Sequence, residues 1–384
     1  VIVVGAGIFG VTAALELAQR GYAVQLFDPG PLPHPDAAST DISKVLRMDY
    51  GADEFYFDLM EAAFEGWDQW NTTWETPLFH QTGFLMLSRA GWQPGGFEYD
   101  SFQILTRRGH PAERVDSRTL REKYPAWNAE LYTNGYFNPR AGWAESGKVV
   151  AKLIDLAVAA GAELYAGKVF SHLLEDGSKV NGIRTTDGTD YYARHVIVAG
   201  GAWTPILLPF LEDVMWATGQ PVYHFRPDEP KRYQPPQFPV WNADIASTGW
   251  YGFPTRDDGT LKIANHGPGH PVDPRGPRVV PAQEEARFRA FLAESLPGLE
   301  GALKIGERLC LYCDTFDGDF WIAEDPDREG LIVSTGGSGH AFKFAPMLGM
   351  IAADVLEGKL NRFADRFRWR ARGDLRTEDA RYTG

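Results

Sequence analysis

The first 28 residues, VIVVGAGIFGVTAALELAQRGYAVQLFD, constrain this chain more than any other stretch. Val1 to Val4 form an apolar run that fits a buried parallel strand. Gly5, Gly7 and Gly10 follow as G-x-G-x-x-G, and Val11 to Arg20 fits a helix with alanine at packing positions. Gly21 ends that helix, and AVQLFD is a second strand closing on Asp28. In such a unit the first glycine makes the tight turn. The second lets the backbone approach a pyrophosphate, and the third lets helix and strand pack closely. The helix N-terminus offers free N–H groups and a positive dipole end to phosphate. Asp28, 18 residues beyond Gly10, suits hydrogen bonds from ribose hydroxyls. Strand, helix and acidic residue together make a dinucleotide cradle, without separating NAD from FAD. Because Val1 already lies inside the strand, a start Met and a few residues are expected ahead of it.

The rest of the 384 residues divides into two kinds of material, and the length itself suggests two domains. Residues 54–71 have helical apolar spacing, and TGFLMLS reads as a strand. Residues 96–145 are mixed and turn-rich. SGKVVAKLIDLAVAAGAELY predicts a helix followed by a strand. KVNGIRTTDGTDYYA predicts a hairpin turning at Asp187-Gly188, and RHVIVAGGAWT a buried strand. Residues 217–280 are rich in Pro, Gly and aromatics with short alternating strands, which suits an antiparallel sheet. Residues 281–296 fit an amphipathic helix. LIVSTGGSGHAFKFAPMLGMIAADVLEG is again strand, glycine loop and helix. Nucleotide-type pieces thus sit at the start, middle and end. The predicted fold is α/β plus antiparallel β: a Rossmann-like cofactor domain (1–78, 146–212, 311–384) with a discontinuous inserted substrate domain (79–145, 213–310).

A net charge of −13 leaves no excess of Lys and Arg to neutralise phosphates, so nucleic acid is not an expected partner. Two cysteines cannot build a secreted disulfide framework, and a reducing cytoplasm is expected. No signal peptide and no apolar run of about 18 or more residues is visible, so no membrane span is predicted. Trp203, Trp216, Trp241 and Trp250 either shape an aromatic pocket or pack the core.

Both cysteines lie in GERLCLYCDTFDGDFWIAEDP, residues 306–326. C-x-x-C as half a zinc site lacks its second pair. As a redox dithiol it lacks the helix start of a thioredoxin-like unit. Two inert buried thiols remain open, as does a covalent role.

The chain resembles the flavoenzymes grouped with D-amino acid oxidase. It is most similar to the monomeric sarcosine oxidase branch, with N-methyltryptophan oxidase, pipecolate oxidase and the fructosyl amino acid oxidases. The resemblance rests on the opening glycine motif, NGYFNPRAGWAES, VIVAGGAW, YGFPTRDDGTLKIANH, the cysteine segment and GGSGHAFKF. It implies FAD joined covalently through Cys310, within Arg308-x-Cys310 and ahead of Asp314, Thr315 and Asp317. It further implies Arg47 and Lys343 as the pair that binds a substrate carboxylate. Lys262 would be the cation that promotes reaction with O2, and Tyr251 and His266 would line the substrate side. Lys262 also reads as a solvent-facing residue of an amphipathic strand. Around the cofactor the resemblance places Gly5, Gly7, Ile8, Phe9, Gly10, Asp28, Ser43, Lys44, Val169, Gly200, Trp203, Gly336, Gly337, Gly339, His340 and Lys343. Lys44 stands where sarcosine oxidases carry Arg and amadoriases carry Lys. The implied activity is oxidation of a secondary amine in an N-substituted or cyclic amino acid to an imine, with O2 reduced to H2O2, by a monomer. The alternatives are a fructosyl amino acid oxidase, a dehydrogenase using another acceptor, and a non-catalytic flavin-binding subunit.

Overall fold

In the computed structural model, which describes residues 1–384, Ile2–Val4 is an inner strand of a six-stranded sheet. The order is Trp321–Glu324, Leu331–Thr335, Val196–Val198, Ile2–Val4, Gln25–Asp28, Glu163–Ala166. All neighbours are parallel except the outermost pair, Trp321–Glu324 with Leu331–Thr335. Alternate side chains serve two cores. Val3 packs with helices Ile8–Gln19, Ser146–Ala159 and Ala345–Leu356, whereas Ile2 and Val4 pack with the hairpin layer of Phe170 and Val180. Both faces are covered, which is why the strand is apolar throughout. The hairpin Lys179–Thr185 to Asp190–Tyr192 forms at Asp187-Gly188, with Gly188 at φ +85°.

A nine-stranded mixed sheet carries the other half. Its pairings are antiparallel apart from Val240–Ala243 beside Phe84–Ser88. Helix Ala282–Ser295 presses Phe288 and Phe291 onto Tyr223, Trp241 and Trp250. Trp241 and Trp250 are therefore core residues rather than pocket walls, and Trp216 packs at the edge of the hairpin core. The mixed stretch 96–145 contains two helices, Phe97–Arg107 and Ser117–Lys123. The second starts at Asp116, whose carboxylate accepts the Thr119 N–H as a cap.

Strand Leu303–Thr315 pairs along Met215–Arg226 and runs unbroken across residue 310. Its far end joins the first sheet's glycine loop: Ser338 N–H donates to the Cys313 carbonyl at 3.0 Å. Both cysteines therefore sit on the strand that links the two sheets.

Candidate active site

The cradle folds as its residue types require. A Cβ on Gly10 would lie 1.8 Å from the Gly5 carbonyl oxygen, and one on Gly5 would lie 2.5 Å from the Ala199 carbonyl oxygen. Gly5 also has φ +100°, a region that glycine adopts without strain. Gly7 differs, because its Cβ would meet only Ser39 Oγ at 3.5 Å and would project toward open space. Beyond it opens a cleft of about 400 Å³. Gly5, Gly7, Ile8, Phe9, Asp28, Lys44, Val169, Gly200, Trp203, Gly337 and Gly339 all line it. The Asp28 carboxylate accepts N–H bonds from Ala6 (2.8 Å) and Gly30 (2.9 Å), which fixes it at the mouth of the cradle. A backbone that glycine alone permits, a helix N-terminus and a buried acidic residue fit a dinucleotide cofactor.

Six expected cofactor residues, Gly10, Ser43, Cys310, Gly336, His340 and Lys343, do not line this cleft. Gly10 packs against Gly5 and does not face the cleft. Gly336, at φ +70°, packs beside Thr315 and Trp321. Ser43 is buried and offers its carbonyl oxygen to Lys262. His340 and Lys343 line a second, smaller cavity of about 50 Å³, together with Lys44, Arg47, Tyr251, His266 and Glu378. Four residues, Lys44, Tyr312, Gly339 and Phe342, border both cavities. A Cβ on Gly339 would meet the Tyr312 ring at 2.2 Å, so the close approach of loop and strand at this junction requires glycine.

The second cavity holds buried cations. The Arg47 side chain is 5% exposed, donates to the Asp49 carbonyl and has Glu378 Oε1 3.9 Å from Nη2. The Lys343 ammonium donates to Tyr50 Oη at 2.7 Å. Tyr50 Oη lies 2.9 Å from His340 Nδ1, and His340 Nε2 lies 3.0 Å from the Gly318 carbonyl. A carbonyl only accepts, so Nε2 carries the proton and Nδ1 accepts from Tyr50. The chain of bonds therefore runs from Lys343 through Tyr50 and His340 to Gly318. Burial, with the nearby Arg47 charge, pushes Lys343 down to about 7. Burial pushes His340 down to about 4, so its imidazole is neutral. His266 is also lowered by burial, despite the Glu378 carboxylate 2.6 Å from its Nε2.

Lys262 is 1% exposed at the side chain, which excludes the solvent-facing reading. It is not a lone cation either. Its Nζ donates to Asp41 Oδ2 at 2.5 Å and to the Ser43 carbonyl at 2.6 Å. Burial and Lys44 lower it to about 8, with Asp41 opposing that fall. Burial acts against ionisation of Asp41, but Lys262 and His224 outweigh it and hold that carboxyl well below its usual range.

Cys310 and Cys313 are both buried and unpaired. Strand alternation turns them to opposite faces. Cys313 lines the dinucleotide cleft, and burial pushes its thiol up to about 12. Cys310 packs with Val222, Ala264, Tyr312 and Tyr251, on the Lys262 side of the sheet. It lines neither cavity but neighbours Tyr312, which borders both.

A family model described as FAD dependent oxidoreductase matches residues 1–355. The chain belongs to this family. Similar proteins agree with that membership. The monomeric sarcosine oxidase of Bacillus sp. (strain B-0618) is 29% identical over 370 residues, covering 94% of this chain and 92% of that protein. The N-methyl-L-tryptophan oxidase of Salmonella dublin is 31% identical over 372 residues, covering 94% and 95%. Among solved structures, Amadoriase I from Aspergillus fumigatus superposes with a TM-score of 0.83 at 27% identity, covering 100% of this chain and 93% of that one. Amadoriase II from the same organism, in complex with FSA, gives 0.85 at 26%, with the same coverage.

Three groups of this flavoenzyme's site have no sequence signal of their own. Asp41 opens the D-x-x-K-x-x-R segment that contains Lys44 and Arg47, but nothing in the sequence pairs it with a lysine 221 positions later. Tyr50 looks like an ordinary aromatic residue. Glu378 lies in the charged C-terminal stretch RGDLRTEDARYTG, where no motif marks it out.

Proposed function

We propose that this FAD-dependent oxidoreductase oxidises the secondary amine of an N-substituted or cyclic amino acid to an imine, which hydrolyses, with O2 reduced to H2O2. The carrying observation is the pair of adjoining cavities that share Lys44, Tyr312, Gly339 and Phe342. One has the dinucleotide cradle, and the other has Arg47 and Lys343 buried at its wall. FAD supplies the two-electron acceptor when bound. Arg47 and Lys343 hold the substrate carboxylate, the guanidinium by parallel N–H bonds that set orientation as well as position. The walls of Phe84, Ile245, Phe253 and Phe342 exclude water and favour the neutral form of the amine. Lys262, kept cationic by Asp41, stabilises negative charge that develops on reduced oxygen.

In this reading Cys310 is the covalent attachment point, supported by its position beside Tyr312 and Lys262 and by the raised, inert Cys313 thiol. Acid precipitation should leave the yellow colour with the polypeptide. C310A should lose it to the supernatant and C313A should keep it; colour retained in C310A rules the link out. Segments 1–78, 146–212 and 311–384 form the cofactor domain, supported by the six-stranded sheet drawing all its strands from them. The remaining segments form the substrate domain. The two unpaired cysteines support a reducing cytoplasm as its compartment, where it acts as a monomer.

A second reading, oxidation of fructosyl amino acids, is favoured by Lys44, which lines both cavities. Anaerobic mixing of the yellow enzyme with N-alkyl amino acids, cyclic amino acids and fructosyl-amines separates the two. Bleaching by the first two classes supports the main reading, and bleaching by fructosyl-amines alone supports the second. A flavin that no amine bleaches refutes both.

A further inference from the structure

The second cavity contains an ionised group that binding a carboxylate-bearing amine does not call for. Glu378 belongs to the irregular C-terminal segment, residues 371–384. That segment is fastened by the Arg376 N–H to the Phe316 carbonyl (2.8 Å) and the Tyr382 N–H to the His266 carbonyl (3.1 Å). Arg381 adds paired bonds to Asp314 at 2.7 and 2.8 Å. Thr377 and Asp379 are exposed, yet the Glu378 side chain turns inward and is 5% exposed. Its Oε1 meets His266 Nε2 at 2.6 Å. Its Oε2 is buried at the cavity and has no hydrogen-bond partner. His340 Nδ1, 3.8 Å from Oε2, already accepts from Tyr50. A buried carboxylate oxygen without a donor is costly, and a second anion beside Arg47 repels a substrate carboxylate.

We propose that Glu378 is a specificity-determining residue. Its free Oε2 accepts a hydrogen bond from a hydroxyl or ammonium group that the substrate carries beyond its carboxylate and its reacting amine. Such a donor satisfies the orphaned oxygen and offsets the repulsion, so ligands with it are selected over simple N-alkyl amino acids. The inference rests on the amine-oxidase reading for the identity of the substrate's other groups.

The test uses the flavin-containing enzyme and unreactive thioethers, in which sulfur replaces the reacting nitrogen. Kd values for (ethylthio)acetate, (2-hydroxyethylthio)acetate and (2-aminoethylthio)acetate are read from perturbation of the flavin spectrum. The wild type should bind at least one donor-bearing ligand about tenfold more tightly than the ethyl compound, because its bond is to a charged acceptor. The hydroxyl and ammonium arms identify the donor. E378L should bring that ratio to about one, and E378Q, which keeps the side chain's shape, should leave a reduced preference. A wild-type ratio of one overturns the assignment, as does a ratio unchanged in both variants or an equal weakening of all ligands. If the thioether preference holds while no amine bleaches the flavin, the oxidase reading falls and the binding role of Glu378 stands.

Discussion

At Lys262 a buried ammonium survives because a carboxylate lies beside it. Burial and Lys44 lower its pKa to about 8, and Asp41 opposes that shift. K262M should slow the return of yellow colour when O2 is mixed with substrate-reduced enzyme by about 10²-fold, the scale of losing one preplaced stabilising group. Anaerobic bleaching should fall much less. D41N removes the opposing charge, so Lys262 should deprotonate below pH 8. The O2 reaction would then slow as pH rises through neutrality, a range where the wild type stays level in a stopped-flow profile. Lys343 gives a second pH dependence. It is cationic below about 7 and neutral above, so affinity for a carboxylate ligand should weaken as pH rises through that value. K343R keeps its charge and should flatten the titration.

Among the elements, the strand–loop–helix of the first 20 residues uses two glycines for unlike reasons. A G10A methyl would strike the Gly5 carbonyl at 1.8 Å, within the packed backbone. A G7A methyl would meet only Ser39 Oγ, on the side of the cleft. G10A should therefore lower the thermal midpoint and the flavin content together. G7A should keep the fold while weakening FAD binding, as measured by circular dichroism and flavin titration. The glycine pattern declares itself in sequence because each position answers to a local backbone constraint. The helices Phe97–Arg107 and Ser117–Lys123 do not stand out, because charged and aromatic residues interrupt their apolar spacing. Ser117–Lys123 is capped by Asp116 and buries Leu120 in the core of the mixed sheet, whereas Phe97–Arg107 has no side-chain cap and rests against strand Phe84–Ser88. Strand Leu303–Thr315 illustrates the same limit: alternation predicts that Cys310 and Cys313 face apart, but not which face meets the cleft.

On the scale of the whole molecule, the active site is a seam closed by the end of the chain. Arg381 is buried against Asp314, in the cysteine-bearing strand, and its Nε donates to the Gly267 carbonyl at 3.1 Å. R381A leaves Asp314 buried and unpaired, at a cost of about 3–5 kcal/mol. Thermal unfolding should shift downward accordingly. Release of the segment should also weaken substrate binding more than flavin content, because Glu378 borders only the smaller cavity.

Local backbone and pattern constraints were sufficient, from the residues alone, for the dinucleotide cradle, the Asp187-Gly188 hairpin and the alternation between nucleotide-type and antiparallel segments. Resemblance to a family then supplied Arg47, Lys343 and Lys262 as candidates. Only the tertiary structure decided which charges meet: Asp41 with Lys262, Tyr50 between Lys343 and His340, and Glu378 folded back onto His266. It also placed Gly10 and Gly336 in packing contacts away from the cleft. The reason is physical. A turn or a strand face depends on neighbours a few residues away, whereas pairing between buried charges depends on groups brought together by folding from distant parts of the chain.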